Sequence, residues 1–349
     1  MSMSVKNPLS FQLNVDSFLP VTDAERQSLV LIRPSVSFWK DAMRRLFKNP
    51  VAVASLSVVL IIAFLSFVVP SFYPYKYEQQ TRGSEYLMPM TYSKVEQERM
   101  DAGEEIFPHI LGTDGLGRDY AVRVMVGSRI SLLVGIVAST IILLIGSFYG
   151  AIAGYFGKWV DLVMMRIVDI IYTVPDILMI VLISFAIKEP MEALAQKPGF
   201  EWLQVLGANF ISIFVVFALL YWVGMARIVR GQVLTLKQFE FVTAAKALGA
   251  SHGRIIRRHL LTNCIGTLIV TTTLQIPASI FTESFLSFLG LGVAIPLPSL
   301  GSLASDALNG LTSYPYLLLA PALLISLIIL SFNLLGDGLR DAFDPKMKS

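Results

Sequence analysis

Two long stretches without charge constrain this chain more than any other feature of its sequence. Residues 202–226 contain no charged side chain, and residues 131–159 contain only Lys158. A helix that crosses a bilayer needs about 20 consecutive, predominantly apolar residues. Only 15% of all residues are charged, whereas about 25% is usual in soluble domains. The sequence therefore predicts an all-α membrane protein that crosses the bilayer several times.

Apolar segments of this kind recur along the chain and predict six transmembrane helices. They lie at about 51–72, 130–155, 164–187, 205–226, 261–284 and 314–336. An even number of spans places both termini on the same side. Segments rich in Lys and Arg remain in the cytoplasm, and 19 of the 28 such residues are cytoplasmic if both termini are. We therefore predict cytoplasmic N and C termini and a location in the cell membrane.

The predicted spans divide the chain into five parts. These are a cytoplasmic N-terminal tail (1–49), a first transmembrane helix (50–72), an extracytoplasmic excursion (73–129), a five-helix core (130–336) and a cytoplasmic C-terminal tail (337–349). The excursion is too long for a turn, so we expect it to fold locally. Its glycines at 112, 115 and 117 are typical of turns.

Several classes of protein lack support in the sequence. There is no G-x-x-x-x-G-K-[ST] phosphate loop, and no G-x-S-x-G or H-E-x-x-H motif of a hydrolase. The single cysteine, Cys264, offers neither a disulfide framework nor a zinc cluster. The net charge of +3 is too small to indicate nucleic acid. We therefore expect no catalysis, cofactor or metal in this chain, and no nucleic-acid partner.

Residues 240–263 form an unusual polar and basic insert between two apolar segments. A helix is expected over 238–248, with Gly249 at its C-terminal end and Ser251 capping a second helix over 252–259. Ala244, Ala245 and Leu248 are expected to share a shallow face of the first helix. Arg254 and its neighbours make the second helix basic. Basic residues suit anionic headgroups or the acids of a partner, but small side chains favour a groove on a protein.

Charged residues also fall within the third predicted span, where isolated charge is expensive. Arg166 and Asp169 are three residues apart and therefore share a helix face, which predicts a local ion pair. Pro175, further along the span, predicts a kink because proline removes a backbone donor.

The pattern Ala244-Ala245, three residues, Gly249, nine residues and His259-x-Leu261 resembles the cytoplasmic loop of ABC importer permeases. Thr243 replaces the Glu of the family's Glu-Ala-Ala, and Leu261-Thr262 replaces its Leu-Pro. In that family the loop is the coupling helix, which inserts into a cleft of the ATP-binding subunit. The resemblance implies that Ala244, Ala245, Leu248, Gly249 and Arg254, within a coupling helix at 238–260, contact an ATPase.

Further segments narrow the resemblance to the C-type permease subunits of dipeptide and oligopeptide importers. They are LGTDGLGRD (111–119), GSRISL (127–132), GYFGKWVD (154–161), SFLGLG (287–292) and FNLLGDGLRDAFDP (332–345). Together they cover about residues 40–345 in order. The resemblance implies the type I importer permease fold and a peptide substrate, although permeases for nickel or for another small solute, such as a sugar oligomer, are closely similar.

A heteromeric complex is what the resemblance implies. A sister permease would complete the translocation path, two ATP-binding subunits would hold ATP and Mg, and an extracytoplasmic protein would deliver the peptide. This chain would supply half of the path and no catalysis. A stand-alone channel or secondary transporter is the other class left open, and it would leave the 240–263 insert without a purpose.

Overall fold

The computed structural model describes residues 37–173, 175–198, 208–292 and 297–343, almost all as helix or turn. The chain divides into two compact units, Met1–Asp41 and Ala42–Ser349. Of the first unit, only residues 37–41 are described, and they contain the start of the first helix. Within the described ranges there is no strand, only an isolated bridge between Thr113 and Asp119.

The helices follow the chain in this order. They are α1 (Phe38–Lys48), α2 (Pro50–Phe67), α3 (Lys94–Asp101), α4 (Tyr120–Phe156), α5 (Lys158–Thr173), α6 (Asp176–Ala195), α7 (Ala208–Val216), α8 (Trp222–Leu236), α9 (Glu240–Ala247), α10 (His252–Arg254), α11 (Leu261–Asn263), α12 (Ile265–Phe288), α13 (Leu300–Ala307) and α14 (Tyr316–Phe343). A π-helical turn, Phe217–Tyr221, joins α7 to α8, and another, Ile255–Leu260, joins α10 to α11.

Five helical segments of the described chain are long and apolar enough to cross a membrane. They are Pro50–Ser71, Tyr120–Phe156, Ile211–Leu236, Ile265–Phe288 and Tyr316–Phe343. A sixth crossing requires α5 and α6 to count as one span, although they meet at a bend of 92°. Pro175 caps the start of α6 at this break, so the predicted kink is a sharp corner. The prediction of an all-α protein with about six spans is confirmed.

The second span begins well before the predicted residue 130. Asp119 caps α4 by accepting a hydrogen bond from the Val122 amide at 2.9 Å. Arg123 lies inside the helix and is buried against Asp114. Residues 120–129 are therefore part of α4, and from here on we define the excursion as residues 73–119. Likewise α14 continues to Phe343, beyond the predicted span.

The core forms around α4, which packs against α8 and α12. Glycines 146, 150 and 154 face α8, and a Cβ at Gly150 would lie 2.3 Å from the Ala226 carbonyl oxygen. Close helix approach of this kind is the usual role of small residues in membrane helices. A second cluster joins α2, α4, α13 and α14 through residues such as Ile62, Leu303 and Ile328. Small residues thus allow helices of this chain to approach closely.

A fully buried carboxyl group, Glu283, connects α12 to α4. Its oxygens accept hydrogen bonds from Ser287 at 2.7 Å and from Ser131 at 2.8 Å. Ser131 also accepts from the Leu300 amide at 3.4 Å, which joins α13 to the same network. An acid within a span must be paired, and these hydroxyls provide the pairing. The sequence analysis missed this residue because its link to Ser131 joins two helices that are far apart in the sequence.

Candidate functional site

The insert between α8 and α12 folds as an elbow, which we define as residues 237–263. Helix α9 ends in two hydrogen bonds of 3.0 Å, from the Ala250 amide to the Ala245 carbonyl and from the Gly249 amide to the Lys246 carbonyl. These two bonds define a Schellman motif, which needs a left-handed residue, and Gly249 has φ of +76°. Ser251 then caps the next helical stretch at the Arg254 amide. The predicted helix–glycine–helix geometry is confirmed, but α9 is shorter than predicted and the second helix is α-helical only over His252–Arg254 before the π-helical turn Ile255–Leu260.

The elbow is held firmly against the end of α4. The Lys237 ammonium donates to the Gly154 carbonyl at 2.7 Å. The Tyr155 hydroxyl lies 2.8 Å from His252 Nδ1, and the Lys246 ammonium lies 5.3 Å from the centre of the Tyr155 ring. Polar and cation–π contacts thus attach the elbow to α4 on both sides of Gly249. A force applied to the elbow would therefore be transmitted to α4 and, through residues 255–263, to α12.

Apolar side chains bury the inner face of the elbow. Val242, Ala245, Ile255 and Leu260 belong to the largest core cluster, together with residues of α4 and α8. Such packing is as dense as an organic crystal and transmits displacement.

The residues predicted to contact an ATPase do not share one surface. Ala244, Gly249 and Arg254 are exposed, and the Leu248 side chain is 88% exposed. Ala245, in contrast, is buried in the core. Neighbouring residues of a helix point about 100° apart, so the Ala-Ala pair divides between the two faces. The structure thus places Ala245 among the residues that pack the elbow against the core. The predicted contact with an ATPase is left with the four exposed residues: Ala244, Leu248, Gly249 and Arg254.

The predicted Arg166–Asp169 pair is replaced by a pair between helices. The Asp169 carboxylate accepts from the Arg227 guanidinium at 3.0 Å, and Arg227 also lies 4.4 Å from the centre of the Tyr172 ring. A second bridge joins Asp161 of α5 to Arg230 of α8 through two hydrogen bonds. The spacing rule considers only one helix at a time, and it therefore missed the arginines of α8.

The excursion contains a buried charged cluster that the sequence analysis did not identify. The two ring nitrogens of His109 lie 2.7 Å from Asp119 and 3.0 Å from Glu96, and all three side chains are at least 97% buried. Glu96 also accepts from the Ser93 amide in a capping box at α3, and Asp119 caps α4. The Tyr75 ring stacks on the imidazole at 4.4 Å. The cluster thus ties two loops of the excursion to the start of α4.

The surroundings of His109 favour its charged form. Burial alone lowers the pKa of the imidazolium, but hydrogen bonds to Asp119 and Glu96 raise this pKa overall. Burial alone likewise raises the pKa of Glu96, but hydrogen bonds from the Ser93 amide and from His109 lower this pKa overall. Two opposite pH limits follow for the stability of the excursion.

We expect the excursion to open as the pH rises through the raised pKa of His109. The stabilisation from the imidazolium is fully present below the ordinary value of 6.5 and is lost above the folded-state pKa. The stabilisation from Glu96 is present above its ordinary value of 4.5 and is lost as the pH falls through its lowered pKa. Hydrogen exchange of residues 73–119 in the purified protein measures both limits.

The His109→Gln variant is the control for this prediction because its amide does not titrate. At pH 6 the variant should show weaker protection of the excursion's amides from hydrogen exchange than the native protein. It should also show no further loss of protection as the pH rises. Equal protection of the native excursion at pH 6 and pH 9 would contradict the role given to the imidazolium.

The described ranges of the chain contain no group of three His, Cys, Asp or Glu side chains that could hold a metal ion. Cys264, the single cysteine of the chain, is buried and forms no disulfide.

A helical membrane protein with an elbow between two of its spans has the arrangement that the sequence resemblance implies for the membrane subunit of a transporter. Comparison with known proteins agrees. The model of the family "Binding-protein-dependent transport system inner membrane component" matches residues 146–349. A second model, "N-terminal TM domain of oligopeptide transport permease C", matches residues 37–89.

Relatives match over almost the whole chain. It is 40% identical over 326 residues to the oligopeptide transport system permease protein OppC of Bacillus subtilis, covering 93% of this chain and 94% of that protein. It is also 40% identical over 327 residues to the dipeptide transport system permease protein DppC of the same organism, covering 93% of this chain and 91% of that protein. It is 39% identical over 310 residues to the oligopeptide transport system permease protein OppC of Escherichia coli K12, covering 89% of this chain and 92% of that protein. The chain belongs to the family of binding-protein-dependent transport system inner membrane components, and it is a multi-pass protein of the cell membrane.

Proposed function

We propose that this chain is one permease subunit of an ATP-driven importer of dipeptides or oligopeptides. The observation that carries the proposal is the full-length similarity to permeases that are named for these two substrates. The same names favour peptide over nickel. The resemblance of the elbow to a coupling helix supports the link to ATP.

The proposed orientation places the elbow and both termini in the cytoplasm and the excursion outside. The charge distribution supports it, since most Lys and Arg then lie inside. The exposed edge of α9, with Leu248 at its tip, would enter a cleft of an ATP-binding subunit. ATP and Mg would be bound there, and this chain would remain without catalysis. A sister permease would supply the other half of the path, and an extracytoplasmic binding protein would deliver the peptide.

Coupling requires that motion of the elbow reaches the spans. The core packing of Ala245 and Ile255 and the bonds from Lys237 and His252 to α4 meet this requirement. A flexible loop would absorb the same displacement. We infer that movement of the ATPase tilts α4 and α12 together, which would open the path alternately to each side.

Reconstitution in liposomes tests the proposal. The chain, expressed with the proteins encoded beside it, should co-purify with an ATPase and should take up a labelled tripeptide only with ATP and the binding protein. The uptake of nickel in place of peptide would overturn the proposed substrate. Peptide transport by this chain alone, without ATP, would overturn the proposed class of transporter.

A further inference from the structure

A polar cleft of about 650 Å³ lies between helices α8, α12 and α14. We define the polar cleft by the five polar side chains that line it: Gln232, Thr267, Thr271, Gln275 and Arg340. Its volume falls within the range of about 300–1,000 Å³ that is usual for sites of small ligands. Thr267, Thr271 and Gln275 follow one another at every fourth position of α12, so they form one stripe along the helix.

None of these five side chains has a hydrogen bond or ion pair with another described residue. Their neighbour Thr273 behaves differently, because its hydroxyl donates to the Ile269 carbonyl at 2.9 Å. Elsewhere in the same helix, Thr282 bonds to the Ala278 carbonyl at 3.0 Å. Polar groups without partners are costly in the bilayer. The stripe is therefore expected to face water, a polar ligand or a partner subunit, and not lipid.

The chemistry of the lining fits the backbone of a peptide. Glutamine amides and threonine hydroxyls both donate and accept hydrogen bonds, as peptide groups also do, and neither depends on the side chains of a substrate. Arg340 lies in the last turn of α14. Among the described residues it is the one charged side chain of the lining, and none of them contributes an acid to the cleft. Its guanidinium suits a carboxylate. The cleft thus matches a peptide with a free C-terminal carboxylate better than it matches a metal cation.

The length of the stripe sets the size of the ligand. Eight residues separate Thr267 from Gln275, which is about 12 Å along a helix at 1.5 Å per residue. An extended chain rises about 3.3 Å per residue, so the stripe spans roughly three to four residues of a peptide.

We propose that the polar cleft is this subunit's part of the peptide path. A passing peptide bonds through its backbone to Thr267, Thr271 and Gln275, with its carboxylate directed toward Arg340. The inference rests on the proposed function and adds the residues that contact the substrate. Because the contacts are to the backbone, the path accepts many side-chain sequences.

The test uses the assembled transporter in liposomes with ATP and a labelled tripeptide. In the double variant Thr271→Val and Gln275→Leu, both side chains keep their approximate volume and lose hydrogen bonds. Net hydrogen-bond strengths correspond to about threefold to tenfold per bond, so peptide uptake should fall roughly tenfold to a hundredfold. Partner co-purification and basal ATP hydrolysis should remain unchanged. The control Thr273→Val removes a hydroxyl of the same helix that lies outside the cleft, and it should keep normal uptake.

Arg340→Gln gives a second, independent readout. The native transporter should prefer a tripeptide with a free carboxylate over the same peptide with a C-terminal amide. The variant should transport both at similar rates, because it no longer distinguishes the charge. A purely structural role of Arg340 would lower both rates and keep the preference.

The possible failures are distinguishable. If the native complex does not take up peptide, the proposed function itself fails. If the native complex does so and the double variant matches it, the polar cleft is not on the path. If the double variant loses its partner subunits, the cleft is a contact between subunits, and the proposal is also overturned.

Discussion

Replacing Leu248 with Asp is expected to abolish peptide uptake while the chain still folds and enters the membrane. The Leu248 side chain is 88% exposed at the end of α9, and it belongs to none of the core clusters within the described ranges. A charge at this position therefore costs the folded chain almost nothing. In a groove of an ATPase it would meet a desolvated apolar surface, where a central residue contributes about 2 kcal/mol or more. Association should weaken about thirtyfold or more.

The measurements are ATP-dependent uptake and co-purification of the ATPase, with Leu248→Met as the conservative control. Methionine keeps the volume and the apolar character and should preserve both. Normal uptake in the Asp variant would show that α9 is not the contact with the ATPase. Ala245→Trp is a poorer test because Ala245 is buried in the core, and its effect would mix misfolding with uncoupling.

Gly150→Leu is expected to prevent accumulation of the folded protein. A Cβ at this position would lie 2.3 Å from the Ala226 carbonyl oxygen and 3.0 Å from the Arg230 amide nitrogen. Both contacts are to backbone, which cannot rotate away, so α4 and α8 would have to separate. Their separation would disturb the bridge between Arg230 and Asp161 and the packing of the elbow below it. The loss should exceed about 4 kcal/mol, the range in which single substitutions unfold domains.

Gly224→Ala and Gly231→Ala provide matched controls on the partner helix. Both glycines lie in α8, and an added Cβ at either position meets nothing within 4 Å. Alanine also favours helix by up to about 1 kcal/mol over glycine. Both controls should accumulate and transport normally, as measured by membrane yield and size-exclusion profile. A stable Gly150→Leu protein would contradict the close approach of α4 and α8.

The elbow shows where sequence reasoning succeeds and where it stops. Gly249 and Ser251 act within a few residues of their own positions, so their roles as helix terminus and cap were predictable. The direction of Ala245 depends on where α4 and α8 lie, and no spacing rule contains that information. The same limit explains Asp169, for which the sequence indicated Arg166 and the structure gives Arg227.

The sequence by itself determined the helical class, the approximate number of spans, the existence of the elbow and the family resemblance. These depend on hydrophobic length and local backbone chemistry, both of which are properties of contiguous residues. Only the tertiary structure decided that α4 begins at Tyr120, that Glu96, His109 and Asp119 meet, and that five polar side chains share one cleft. Each of these depends on residues far apart in the chain. Their meeting is decided by how the helices pack, which no local pattern records.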